Sequence, residues 1–109
     1  MSRFFPFDLR WPNRRAAAPD RAFFADCHRR LDALLQPAIA FWRRAVDRER
    51  GGFYGLVDYD GRALPEADKD FIQQVRHLWT FAYIHHVEDR SPAIEEICDH
   101  QFRFVRERF

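Results

Sequence analysis

Twelve Phe, three Trp and three Tyr stand in a chain of only 109 residues, and that aromatic load most restricts what it can fold into. A domain of this size buries roughly two-thirds of the surface its unfolded chain exposes. So much aromatic area is hard to hide in one small globule, so the chain either packs against something else or belongs to a larger fold. Charge narrows the options: 18 basic residues stand against 17 acidic ones, for a formal net charge of +1. This removes the strong basic field that nucleic-acid binding draws on. No apolar run approaches the ~20 residues of a membrane helix. Cys27 and Cys98 are too few for a disulfide framework and read as reduced, buried thiols. The expectation is a small cytoplasmic protein with neither a nucleic-acid nor a membrane partner.

Two segments follow from the patterning. Residues 1–19 form a basic arm in which Pro6, Pro12 and Pro19 break any amphipathic helix, and no apolar stretch suits a secretory signal. Phe4, Phe5, Phe7 and Trp11 are expected to lie on the body. Residues 20–109 form the body. Asp20 is the expected N-cap of a helix over 20–46, with Phe23, Phe24, Cys27, Leu31, Leu34, Leu35, Ile39, Trp42 and Val46 as its apolar stripe and a kink at Pro37. A second helix is expected over 69–87, with Phe71, Val75, Leu78 and Ala82 on one side and Lys69, Gln73, Arg76, Thr80 and Tyr83 opposite. A third, over 92–108, opens with Ser91 as N-cap and Pro92 in its first turn. Its apolar face is Ile94, Ile97, Cys98, Phe102 and Val105, and no C-cap is evident at Phe109. Between the first two helices lie all the glycines (Gly51, Gly52, Gly55 and Gly61), which mark a long loop with a small β-hairpin over 53–64 turning at Asp58-Tyr59-Asp60-Gly61.

Most chemical motifs fail on spacing. His85 with Glu88, and Cys98-Asp99-His100, fall short of the closed four-ligand set of a zinc site. Gly51-Gly52 follows a helix instead of joining a strand to a helix start, so it does not suit a phosphate loop. Ser91 caps a helix, and both cysteines lie on apolar faces, so no nucleophile emerges. Arg76 stands apart, in the middle of the most hydrophobic helix and three residues before Trp79. As a solvated stripe residue it needs no function. Facing a polar cavity, it would offer a fixed donor fork to sugar hydroxyls while the indole takes a C–H face.

Residues 41–83, FWRRAVDRERGGFYGLVDYDGRALPEADKDFIQQVRHLWTFAY, present a linked series of cues. They are Trp42, Asp47, Gly51-Gly52-Phe53-Tyr54-Gly55, the Asp58–Gly61 turn, Lys69, Arg76 and Leu78-Trp79-Thr80-Phe81. As a block they resemble the N-acylglucosamine 2-epimerase family, most of all its cellobiose 2-epimerase branch. The resemblance implies an all-α fold, the opening segment of an (α/α)6 barrel covering about a quarter of a family member. The first helix would then be outer, the second inner and the third outer. It further implies a reducing sugar as substrate, proton transfer at carbon two through an enediolate, and neither metal nor organic cofactor. Arg76 matches the family's active-site arginine, which implies both a catalytic and a substrate-binding role at the sugar oxygens. The family's acid/base histidines belong to later helices, and no histidine here matches their motifs. The 109-residue chain is therefore expected to be inactive alone and to self-associate. The alternative is a stand-alone, oligomeric helical interaction module without catalysis.

Overall fold

The computed structural model describes residues 18–109, so the contacts expected of Phe4, Phe5, Phe7 and Trp11 lie outside the described residues. Regular structure among them consists of three helices: α1 (Arg21–Arg44), α2 (Phe71–Val87) and α3 (Pro92–Arg108). The chain divides into one unit ending at Ala33 and a second over Leu34–Phe109.

In the first unit, α1 starts where capping demands it. The Asp20 carboxylate accepts the Phe23 backbone N–H at 2.9 Å and satisfies one of the orphan donors of the first turn. Asp26 pairs with Arg29 and Arg30 one turn later. Phe23, Phe24 and Leu31 are exposed, so this half of the expected apolar stripe is not core. Cys27 is half-buried, as is Cys98 in the second unit, and both are free thiols.

The second unit holds the core, built from Ile39, Ala45, Val46, Phe53, Phe81, Ile84, Ile94 and Ile97. Pro37 lies within α1 without ending it. Packing of α2 on α3 is the main helix–helix contact. Ser91 caps α3 with Pro92 in the first turn, as expected. Phe109 does serve as its C-cap, donating its N–H to the Val105 carbonyl at 3.2 Å. The expected hairpin reduces to two isolated antiparallel bridges, Val46 with Phe53 and Val57 with Ala63. The turn between Val57 and Ala63 is held by Asp58, whose carboxylate accepts the N–H groups of Asp60 and Arg62, each at 2.9 Å. Gly55 allows the close return of the loop. A Cβ built there would stand 1.9 Å from the Asp68 carbonyl oxygen, a backbone atom that cannot swing away.

Two faces differ from expectation. Helix α2 begins at Phe71 with Asp70 as N-cap, so Lys69 precedes it. Its buried face is Gln74, Phe81 and Ile84, while Phe71 is half exposed. On α3 the buried position beyond Ile97 belongs to Gln101, and Phe102 is exposed. In both helices a glutamine takes a place that hydrophobic periodicity gives to an apolar side chain.

Candidate functional site

The expected site residue, Arg76, lies on the exposed face of α2. Positions three, four and seven apart share one face of a helix. Thus Ile72, Arg76, Trp79 and Tyr83 stand along one line, with residues Ile72, Trp79 and Tyr83 61%, 67% and 54% exposed. The Trp79 and Tyr83 rings stack at 5.4 Å with planes 11° apart, which holds the indole beside the guanidinium's turn of the helix. Arg76 makes no ion pair within the described residues. It is therefore a donor fork with no assigned acceptor, next to an aromatic plate.

What orients this face is a polar interior that sequence periodicity misses. The side chain of Gln74, fully buried, pairs with both backbone groups of Phe53: its Oε1 accepts the N–H at 2.9 Å and its Nε2 donates to the carbonyl at 3.0 Å. Gln101 Nε2 donates to the Gln74 side-chain and backbone oxygens, both at 2.9 Å. These bonds offset the cost of burying the Gln74 amide and the Gln101 Nε2, leaving Gln101 Oε1 without a partner, and fix the rotation of α2 about its axis. Gly52, at φ +72°, lets the chain pass between Gln74 and the Phe104 ring, where a Cβ would meet each at 2.7 Å.

The loop is closed by a second buried element. Lys69 Nζ donates to Asp47 Oδ2 and to the Gly51 carbonyl, both at 2.6 Å. Tyr54 and Phe104 flank the ammonium at 5.9 and 5.4 Å. Asp47 Oδ1 accepts the N–H groups of Glu49 and Arg50. Burial on its own would raise the Asp47 carboxyl; the Lys69 hydrogen bond, the Arg50 N–H, the Lys69 charge and the Glu49 N–H together outweigh it and hold the group below its ordinary value. One weak signal stood in the sequence, since Lys69 is its only lysine, but nothing pointed from it to Asp47. Position on the polar side of an expected helix hid it.

His77, next to Arg76, points the other way. Its ring stacks on Phe53 at 4.3 Å and 11°, lies 5.1 Å from Trp42, and leaves Nε2 buried without a partner. Burial lowers its pKa from the ordinary 6.5. The folded state then binds fewer protons than the unfolded state below pH 6.5, so this group's contribution to stability is lost as pH falls through that value toward the folded pKa. Denaturation midpoints at pH 7.5 and 5.5 are expected to differ more for the native chain than for His77→Phe, which keeps the stack and cannot titrate.

The hollows lie elsewhere. One of about 420 Å³ is lined by Arg50, Lys69, Phe104 and Arg108 among others, and one of about 380 Å³ by Arg43, Arg48 and Glu96 among others; neither includes Arg76. Among the described residues no three His, Cys, Asp or Glu side chains converge as metal ligands. No helix among them is long and apolar enough to cross a membrane.

Comparison with known proteins supplies the context. No family model matches the chain. It is 32% identical over 72 residues to a cellobiose 2-epimerase of Bacteroides fragilis, covering 65% of this chain and 18% of that protein. It is 31% identical over 75 residues to a cellobiose 2-epimerase of Eubacterium cellulosolvens, covering 67% of this chain and again 18% of the relative. The fold resembles a solved sugar epimerase from a ruminal bacterium with a TM-score of 0.58 and 29% identity, over 62% of this chain and 17% of that one. The match thus spans under a fifth of the length of these relatives. The three helices correspond to the opening segment of an (α/α)6 barrel.

Proposed function

We propose that this chain, a relative of the cellobiose 2-epimerases of the N-acylglucosamine 2-epimerase family, supplies the sugar-contacting segment of a carbohydrate 2-epimerase or aldose–ketose isomerase. The substrate is a mono- or disaccharide with a free reducing end. Arg76 binds sugar oxygens beside carbon two and stabilises the oxyanion of the enediolate as a proton leaves that carbon. Trp79, held by Tyr83, offers its face to the sugar ring. The observation that supports this reading is the line of Arg76, Trp79 and Tyr83 on the exposed side of α2, with a guanidinium that no carboxylate of the described residues pairs. The setting is cytoplasmic, where the free thiols Cys27 and Cys98 stay reduced.

The proton-transfer groups belong to other parts of such an enzyme. His77 is committed to its stack on Phe53, and His100 lies against the Gly52 carbonyl at 3.2 Å. Incubated alone with cellobiose, mannose or N-acetylglucosamine, the purified chain is expected to give no new epimer above a blank. Each missing proton-transfer group forfeits about 10²–10⁴-fold in rate.

The test of Arg76 uses a chimera in which this chain replaces the matched segment of a cellobiose 2-epimerase. Arg76→Ala is expected to lower kcat/KM by about 10²–10³-fold, the usual loss for one oxyanion donor, with an unchanged melting temperature. Arg76→Lys should recover only part, because a point charge cannot span two oxygens as a planar fork does. Near-normal turnover by Arg76→Ala would return Arg76 to an ordinary solvated residue.

A helical interaction module without catalysis is the second reading, and the exposed Ile72, Trp79 and Tyr83 favour it. Under either reading the chain alone is expected to self-associate or to be only marginally stable. Light scattering showing a compact, cooperatively folding monomer at high concentration would count against this.

A further inference from the structure

We propose that a hollow between α3 and the turn after α1 binds a phosphate group, either free or as part of a small phosphate ester. The hollow measures about 360 Å³, and four arginines line it: Arg48 and Arg50 from the turn, Arg103 and Arg108 from α3. Helical spacing accounts for the second pair. Positions three, four, seven and eight along from His100 share its face of α3, so Arg103 and Arg108 stand beside Phe104. The backbone on both sides is anchored. Gly51 passes over the Phe104 ring, where a Cβ would stand 2.9 Å away, and His100 Nε2 lies 3.2 Å from the Gly52 carbonyl. Asp47 Oδ1 holds the Glu49 and Arg50 N–H groups and so fixes the turn. Arginines that project from a fixed backbone are gathered around an anion at a lower ordering cost.

Charge identifies the ligand. Arg48 pairs with Glu96 and Arg50 with Glu66, but neither glutamate lines the hollow, and both pairs are exposed and therefore weak. Arg103 and Arg108 pair with no carboxylate among the described residues. The acids in the lining are Glu49 and Glu107, so four arginines stand against two glutamates, an excess of two positive charges. A phosphate monoester carries about −1.5 to −2 near pH 7, which meets that excess, whereas a single carboxylate leaves part of it unmatched. Guanidinium forks also suit phosphate oxygens in pairs. Room for the organic part of an ester lies in the adjoining hollow of about 420 Å³, which shares Arg50, Phe104 and Arg108. A long nucleic acid would need a wider basic field than a chain of net charge +1 presents. None of these residues belongs to the Arg76 line of α2, so the site is independent of the sugar role.

The test is equilibrium dialysis of the 109-residue chain against labelled inorganic phosphate, with ionic strength held constant by chloride. The expected result is saturable uptake of one phosphate per chain. Changing both Arg103→Gln and Arg108→Gln should weaken binding by about tenfold or more, with the circular dichroism unchanged. Glu107→Gln removes a repelling charge and should tighten binding by about threefold, a gain that misfolding cannot produce. Arg62→Gln, at an exposed arginine outside the hollow, should leave binding as it was. Glycerol phosphate, added as a competitor, separates the two sources: displacement at lower concentrations than unlabelled phosphate requires assigns an ester, and the reverse assigns free phosphate. Uptake that does not saturate, that survives loss of the arginine pair, that Arg62→Gln weakens as much, or that Glu107→Gln does not tighten would overturn the proposal.

Discussion

Lys69→Met is expected to destabilise the protein by about 3–5 kcal/mol at pH 7, enough to unfold much of a marginally stable population. The substitution keeps the aliphatic stem and removes only the ammonium. Asp47, 1% exposed, then holds a carboxylate whose Oδ2 has lost its partner, while the Gly51 carbonyl loses a donor. The pH dependence identifies the cause. In the native chain Asp47 titrates below its ordinary 3.8, so its contribution is fully present above that value and is lost as pH falls through the folded pKa. Without Lys69, the cost of burying the carboxylate is opposed only by the Glu49 and Arg50 N–H groups, so the variant's deficit should shrink as pH is lowered toward 4 and the acid is protonated. Urea denaturation of Lys69→Met, Asp47→Asn and the double variant at pH 7 and pH 4.5 gives the coupling directly. A deficit that is small or independent of pH would mean that the pair is a surface contact.

Gln74→Met is the second large loss, about 2–6 kcal/mol at nearly constant side-chain volume. The change strands the Phe53 N–H and carbonyl and removes an acceptor from Gln101, all buried. Each buried polar group left unpaired costs about 1–3 kcal/mol. The same change frees α2 to turn about its axis, so Trp79 and Tyr83 should lose their fixed relation to the rest of the molecule. Two readouts are therefore expected to move together: the denaturation midpoint and the near-ultraviolet dichroism of the aromatics. A stable variant with native dichroism would show that apolar packing alone sets the orientation of α2.

Gly55→Ala probes the loop independently. Its Cβ meets the Asp68 backbone oxygen, so the loop must shift, at a cost of about 1–3 kcal/mol measured by thermal melting.

Local chemistry was legible in the sequence because it acts over a few residues. Asp20 and the Ser91-Pro92 pair start helices by meeting orphan N–H groups within one turn. The Asp58 side chain and Gly61 define their turn from within it. The block over 41–83 likewise carried the kinship to sugar 2-epimerases without reference to any contact. Which side of α2 and α3 faces inward was decided by tertiary structure. Hydrophobic periodicity counts Gln74 and Gln101 as polar, yet each is buried where partners distant in sequence take up the Gln74 amide and the Gln101 Nε2. Lys69 and Asp47, twenty-two positions apart, are unremarkable charges until the loop brings them together in a dry place. Spacing along a chain reports what a residue's neighbours within a turn can do, whereas the sign of a buried polar group's contribution depends on a partner that only folding supplies.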